Sequence, residues 1–286
     1  MLRIGGLHVP DGAFVLMAIV NRTPDSFYDR GATFAMAAAL ERVDRVVAEG
    51  ADKVDVGGVK AAPGDHVDTA EEIRRTVDLI AAIRAAHPTL PISIDTWRAE
   101  VAKEALAAGA DVVNDAWGGV DPDLAGVAAE AGAGIVCTHA GGLPPRTRPH
   151  RVAYDDVVAD IVARTTALAE AALAAGVDRE RVLVDPGHDF GKNTRHSLEA
   201  TRRLDELVAT GWPVLLAVSN KDFVGETLGV PLTGRLEGTL AATAVSAWLG
   251  ARMFRVHQVR ETRRVLDMVA TIRGDRPPSV ARRGLA

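Results

Sequence analysis

Eight short apolar runs punctuate the chain, and nearly every one ends in a polar residue able to do chemistry. In order these are Asn21, Asp55, Asp95, Asn114 with Asp115, His139, Asp185, Ser219 to Lys221, and Arg255 with His257. The carboxylates and amides among them are acceptors, suited to a ligand edge rich in donors, whereas lysine and arginine are cationic donors suited to an anion. Each run follows a helix-like stretch. Strands alternating with helices close most naturally into an eight-stranded parallel (β/α)8 barrel whose chemical groups gather at one rim, so these residues are expected to share one site.

The elements that must position them read as follows. The first strand, Phe14 to Val20, ends at Asn21, and a polar loop from Arg22 to Thr33 precedes an alanine-rich helix over Phe34 to Glu49. Strands are expected at Lys53–Val56, Ile92–Asp95, Val112–Asn114, Ile135–Thr138, Val182–Val184, Val214–Val218 and Met253–Val256. The second helix is expected to start at Thr69-Ala70-Glu71-Glu72 through a capping box, and a later one near Thr194, capped by that hydroxyl. Further helices are expected at Trp97–Ala108, Tyr154–Ala175, Arg235–Leu249 and from Val259. Two helix-to-strand turns share wording, Glu49-Gly50-Ala51-Asp52 and Ala108-Gly109-Ala110-Asp111, at a spacing that fits barrel units better than a solenoid.

A length of 286 residues with 48% hydrophobic composition fits one such domain, expected over residues 1–273, with 274–286 as a tail holding two prolines and three arginines. A net charge of -5 with scattered basic residues argues against a nucleic-acid partner. No apolar run approaches the roughly 20 residues of a membrane span. The single cysteine, Cys137, excludes an intrachain disulfide and a thiolate cluster and points to a reduced, cytoplasmic setting.

Several words in the chain occur together and in a fixed order. They are Asn21-Arg22-Thr23-Pro24-Asp25-Ser26-Phe27, Asp55-Val56-Gly57-Gly58, Ile94-Asp95-Thr96, Asn114-Asp115, Asp185-Pro186-Gly187, Phe190-Gly191-Lys192, Ser219-Asn220-Lys221 and Arg255-Val256-His257. Over roughly Leu16 to Val259 the sequence resembles the dihydropteroate synthase family, whose fold is a pterin-binding TIM barrel. The resemblance implies that Asp95, Asn114, Asp185, Lys221 and Phe190 form the pterin site. It places Arg255, His257 and Asn21 on the pyrophosphate, with Asn21 also toward Mg²⁺, and Ser219 on the p-aminobenzoate side. Asn21, Asp29 and Lys221 are the catalytic set it implies, and it implies a homodimer built from helices late in the barrel. Taken singly, Asp95 could be a helix cap, Asn114 a loop anchor and Asp185 a turn former.

The sequence departs from that family in the closing loops. Where the family writes Gly-Glu-Ser-Thr-Arg-Pro-Gly, the chain has Gly58-Val59-Lys60-Ala61-Ala62-Pro63-Gly64, so a hydroxyl and a bidentate cation are lost. Arg22, Tyr28, Arg30, Thr138, Asp189 and Asn220 also replace the family's usual residues, and Asp189 is expected to crowd the ligand. The expected protein is therefore a divergent homologue that keeps pterin and pyrophosphate subsites while synthase activity is weak or absent. The alternatives are a functional synthase in which Lys60 or Arg22 restores the charge, a pterin or phosphate-ligand binding or regulatory protein, and a folate-dependent methyltransferase on the same barrel.

Overall fold

The computed structural model describes residues 2–24, 31–147 and 152–284. Among these residues, ten strands and ten α-helices follow one another as β1 (Leu2–Ile4), β2 (Leu7–Val9), β3 (Val15–Asn21), α1 (Met36–Ala48), β4 (Lys53–Gly57), α2 (Thr69–Ala86), β5 (Ile92–Asp95), α3 (Ala99–Ala107), β6 (Val112–Asp115), α4 (Leu124–Glu130) and β7 (Gly134–Thr138). The second half runs α5 (Val157–Ala174), β8 (Val182–Asp185), α6 (Thr194–Arg202), α7 (Leu204–Val208), β9 (Leu215–Leu216), α8 (Asp222–Leu228), α9 (Leu236–Trp248), β10 (Met253–Val256) and α10 (Val259–Arg273). Eight parallel strands pair in the order β8-β7-β6-β5-β4-β3-β10-β9, and a parallel bridge between Val184 and Val214 closes the ring into a (β/α)8 barrel.

Period-two alternation along each strand separates two cores. Leu16, Ala18 and Val20 of β3 face outward and join the helices with Val54, Val56, Ile92, Ile94 and Val113. Val15 and Met17 face inward with Val112, Val136, Leu183, Leu215 and Met253, and fill the lower barrel. Each such side chain removed from water contributes roughly 1.5–3 kcal/mol. Continuing the inward alternation upward brings Asp55, Asp95, Asn114, Asp185 and Arg255 to the upper rim.

The repeated turns of the lower rim have a common construction. Gly50 and Gly109 both adopt positive φ, 98° and 112°, which a side chain would strain. Two residues later, Asp52 Oδ2 accepts Leu16 N–H at 2.7 Å and Asp111 Oδ2 accepts Ile92 N–H at 2.8 Å, so each aspartate anchors the strand beside its own. An arginine locks each turn: Arg263 donates to the Gly50 carbonyl at 2.7 Å and to Asp52, and Arg84 donates to the Gly109 carbonyl at 2.8 Å and to Asp111 at 2.7 Å.

Several elements differ from the sequence expectation. The antiparallel β1–β2 hairpin, which buries Leu2 and Ile4 beneath the inner core, was not expected, although apolar alternation around Gly5-Gly6 is a hairpin signal. Three short helices, α4, α7 and α8, also fall outside the expected set. Asp68, not Thr69, caps α2 by accepting Glu71 N–H at 2.8 Å, and Asn193, not Thr194, caps α6 in a capping box with His196. Beyond Gly274 the described residues form no helix or strand. None of the described helices is long and apolar enough to cross a membrane.

Lys53 sits inside this framework, fully buried two residues below Asp55, and its Nζ has no hydrogen-bond partner among the described residues. Burial pulls its pKa down to about 8, against the opposing pull of Asp55 and Asp111. A lysine lowered on folding destabilises fully below that value, and the cost fades as pH rises toward the ordinary 10.5, where the unfolded chain also deprotonates. Lys53→Met is expected to raise stability at pH 7 by about 1–3 kcal/mol and to remove the rise between pH 8 and 10.5, measured by denaturant unfolding across that range. Equal stability of the two proteins at pH 7 would exclude this cost.

Candidate functional site

The register aligns Asn21 with Gly57, Gly57 with Asp95, and Asp95 with Asn114 across four neighbouring strands. Gly57 lies close beneath this rim, where a Cβ would be 3.0 Å from Asn21 Oδ1, so a side chain there would press on that amide. Asp55, one layer lower and fully buried, is the centre of the polar network. Its Oδ1 accepts the Ser93 hydroxyl, and its Oδ2 accepts Asn114 Nδ2 at 3.2 Å and Arg255 Nε at 2.6 Å. The other end of the same guanidinium, Nη2, donates to Asp95 Oδ2 at 2.7 Å. One arginine from β10 thus spans carboxylates of β4 and β5. Burial pushes Asp95 up to about 7; Arg255 opposes the shift and Asp55 adds to it.

A second group gathers at the ends of β8 and β9. Asp185 Oδ1 accepts Gly187 N–H at 2.7 Å, so the residue does form the turn that its sequence allowed, and its carboxylate also feels Lys221 and Arg255. Lys221 donates to the His188 carbonyl, and its Nζ lies 4.6 Å from the centroid of the Phe190 ring. Burial lowers the lysine and raises Asp185, while their mutual attraction and that of Asp189 for Lys221 oppose both shifts. Phe190 meets Trp117 edge to face at 4.9 Å, and Trp117 meets Trp97 in the same manner at 6.4 Å. The result is an aromatic wall beside a lysine and three carboxylates.

On the β9–β10 side Ser219 Oγ lies 3.0 Å from His257 Nδ1 and also accepts His257 N–H at 3.2 Å. Burial, followed by the charges of Arg255 and Arg42, pushes His257 down to about 3, so beside Arg255 it stands as a neutral imidazole. Arg42 of α1 donates to the His257 carbonyl at 2.5 Å. Asn220 is buried at φ 56°, a left-handed conformation that asparagine tolerates; its Nδ2 donates to Gln258 at 3.1 Å and its N–H to Thr239 at 3.1 Å.

Two residues that the sequence directed at the ligand are engaged within the chain. Asp189 Oδ2 accepts Asp222 N–H at 2.7 Å at the start of α8, and Ser197 donates to its Oδ1 at 3.2 Å. Arg22 is not poised to swing into the site, because it is buried, donates to the carbonyls of Phe34 and Arg75 at 3.0 Å each, and lies over the Phe34 ring. Asp29, with Tyr28 and Arg30, lies outside the described residues. Asp95 caps no helix; the first N–H of α3 is instead taken by Asp121 at 2.8 Å.

The loop after β4 is tied down through its carbonyls by arginines from three elements. Arg75 of α2 holds Gly58 at 3.0 Å, Arg98 before α3 holds Val67 at 2.7 Å, and Arg146 from the loop after β7 holds Asp65 at 2.6 Å and Ala62 at 3.2 Å. Ser93 and Arg42 are the polar contributors that the motif reading missed. Ser93 carried a signal, a hydroxyl two residues before Asp95 and therefore on the same inward face; Arg42 carried none. Among the described residues no group of three or more His, Cys, Asp or Glu side chains is placed to hold a metal ion. Asn21 offers one amide, and Asp55 and Asp95 of the neighbouring strands are engaged by Arg255, so these residues do not fit a resident Mg²⁺ site.

A family model described as pterin binding enzyme matches residues 17–257, the span from β3 to His257. The chain belongs to the pterin binding enzyme family. Within that family it is a homologue of dihydropteroate synthase. It is 64% identical over 276 residues to a Mycobacterium leprae protein named inactive dihydropteroate synthase 2, with 95% of each chain covered. Among solved structures it is similar to Yersinia pestis dihydropteroate synthase with a sulfonamide drug complex, at TM-score 0.90 and 34% identity, covering 96% of this chain and 99% of the other. It is also similar to the Clostridium difficile synthase solved in the presence of pteroic acid, at TM-score 0.83 and 35% identity, covering 95% and 99%.

The raised Asp95 yields a test of the network. A carboxylate raised on folding costs nothing below its unfolded pKa of 3.8, and the cost grows until pH passes about 7, because the folded state holds the proton longer. Asp95→Asn should therefore gain stability relative to the wild type as pH rises from 4 to 8, on the order of 2 kcal/mol by denaturant melts at the two ends. A difference between the two proteins that does not change with pH would show that Asp95 titrates normally.

Proposed function

We propose that the protein binds a pterin through Asp95, Asn114, Asp185 and Lys221 against Phe190, and a pyrophosphate through Arg255, His257 and Asn21, with synthase turnover weak or absent. What carries this reading is the pairing of a polar barrel mouth, where Asp95, Asp185, Lys221 and Arg255 all lie within mutual electrostatic reach, with a tied loop that presents Ala61 and Ala62. A pterin edge rich in donors satisfies buried carboxylates that otherwise cost free energy. A pyrophosphate needs a planar cation, which Arg255 supplies.

The p-aminobenzoate side is the deficient one. Ser219 is committed to His257, Asn220 to Gln258, and the positions that the resemblance expects to be threonine and arginine are alanines. With Arg22 held by backbone carbonyls, it does not make up the lost charge. Loss of one such transition-state contact costs about 2–4 kcal/mol, or a hundredfold or more in rate. The name of the Mycobacterium leprae relative supports the same reading. We assign the protein to the cytoplasm, in keeping with its single buried cysteine.

A homodimer is part of the proposal, and its support differs from the sequence expectation. Gly238 of α9 faces Val224 and Leu228 of its own chain and is not free to meet a second copy. The exposed apolar residues on the packed pair α9 and α10 are instead Val245, Trp248, Met268 and Ile272, each at least half exposed.

Calorimetry with 6-hydroxymethylpterin and with inorganic pyrophosphate is expected to show binding of both. Steady-state assay with pterin pyrophosphate and p-aminobenzoate is expected to show turnover at least about a hundredfold below an active family member. Ala61→Thr with Ala62→Arg should raise that turnover. Wild-type turnover matching an active synthase would overturn the loss of activity, and failure to bind either ligand would overturn the subsites.

A further inference from the structure

We infer that Asp55 is a positioning residue that couples the two halves of the site, so that a pterin and a pyrophosphate bind cooperatively, each releasing the group that the other requires. The inference rests on the pterin and pyrophosphate subsites proposed above.

The coupling follows from shared atoms. Asp55 Oδ2 holds both Asn114, on the pterin side, and Arg255, on the pyrophosphate side, while Ser93 fixes the remaining oxygen. Buried as it is, this carboxylate cannot exchange those partners for water. The Nε end of Arg255 is thus a pivot, and its Nη2, now 2.7 Å from Asp95, changes partner when the guanidinium turns about that end toward an anion. A phosphate that draws Nη2 away would strand the Asp95 carboxylate without its cation, which is costly unless the N–H donors of a pterin replace it. Conversely, a pterin that donates to Asp95 takes the acceptor that restrains Nη2 and frees the guanidinium for the anion. Each ligand removes a cost from the other, and linkage makes the effect reciprocal. The elevated Asp95 fits this scheme, since it already tends toward the proton when the pull of Arg255 is set against burial and Asp55.

The test is calorimetric titration of inorganic pyrophosphate with and without saturating 6-hydroxymethylpterin, in the wild type, Asp55→Asn and Ser93→Ala. In the wild type the pterin should tighten pyrophosphate at least about fivefold, and in either variant the ratio should fall to within about twofold. Ser93→Ala keeps the carboxylate and carries the test if Asp55→Asn does not fold. A merely structural role would weaken both ligands and leave their ratio unchanged. A wild-type ratio within about twofold, with both ligands bound, would overturn the coupling and leave the binding reading standing. Full coupling in a folded variant would overturn the role of Asp55, and no binding of either ligand would overturn the subsites and the coupling together.

Discussion

The arrangement at the barrel mouth depends on one guanidinium held between two carboxylates, Asp55 fully buried and Asp95 partly so. Asp55 and Asp95 stand on adjacent strands with inward side chains, and two negative charges so placed repel in a medium poor in water. Arg255 makes them compatible, through Nε to one and Nη2 to the other. Such a network is expensive to assemble, and removing one member leaves an uncompensated charge, so its geometry is tightly constrained. It requires that β10 pair with β3, and β3 with β4, in one fixed register; a slip of a single residue would turn Arg255 toward the helices.

The two ends of the barrel divide the work. At the lower end Asp52 and Asp111 bind strand N–H groups, Arg263 and Arg84 clamp the turns, and the β1–β2 hairpin covers the inner core. A concavity of about 900 Å³ near Arg84 and Asp111 lies at this end, but those two side chains are already paired with each other. At the upper end the polar groups face the mouth and their charges are set against burial. This separation of stability from chemistry is the general habit of the barrel fold.

The loops at the barrel mouth are held mainly by contacts within the chain. The loop after β4 is held by its backbone, through Arg75, Arg98 and Arg146, and its side chains at 61 and 62 contribute neither hydroxyl nor charge. Asp189 has been drawn into capping α8, and His188 is buried against Thr201 and Phe223. These two side chains thus tie the loop after β8 to α6 and α8.

The sequence by itself determined the barrel, the order of its strands and the rim on which the polar residues gather, because period-two runs ending in polar residues are local signals. It also marked Asp95, Asn114, Asp185, Lys221 and Arg255 as one set, through words that occur together. The hairpin of Leu2 to Val9 was legible but short, and the caps at Asp68 and Asn193 lay one residue from where the pattern placed them. Only the tertiary structure decided which partner each charge took: that Arg255 bridges Asp55 and Asp95, that His257 is neutral, that Asp189 turns to α8 and that Arg22 is locked beside Phe34. Those outcomes depend on contacts such as the one across 200 residues between Asp55 and Arg255, and on burial that no local window contains. Hydrophobic periodicity is written along the chain, whereas the pairing of buried charges exists only once the barrel has closed.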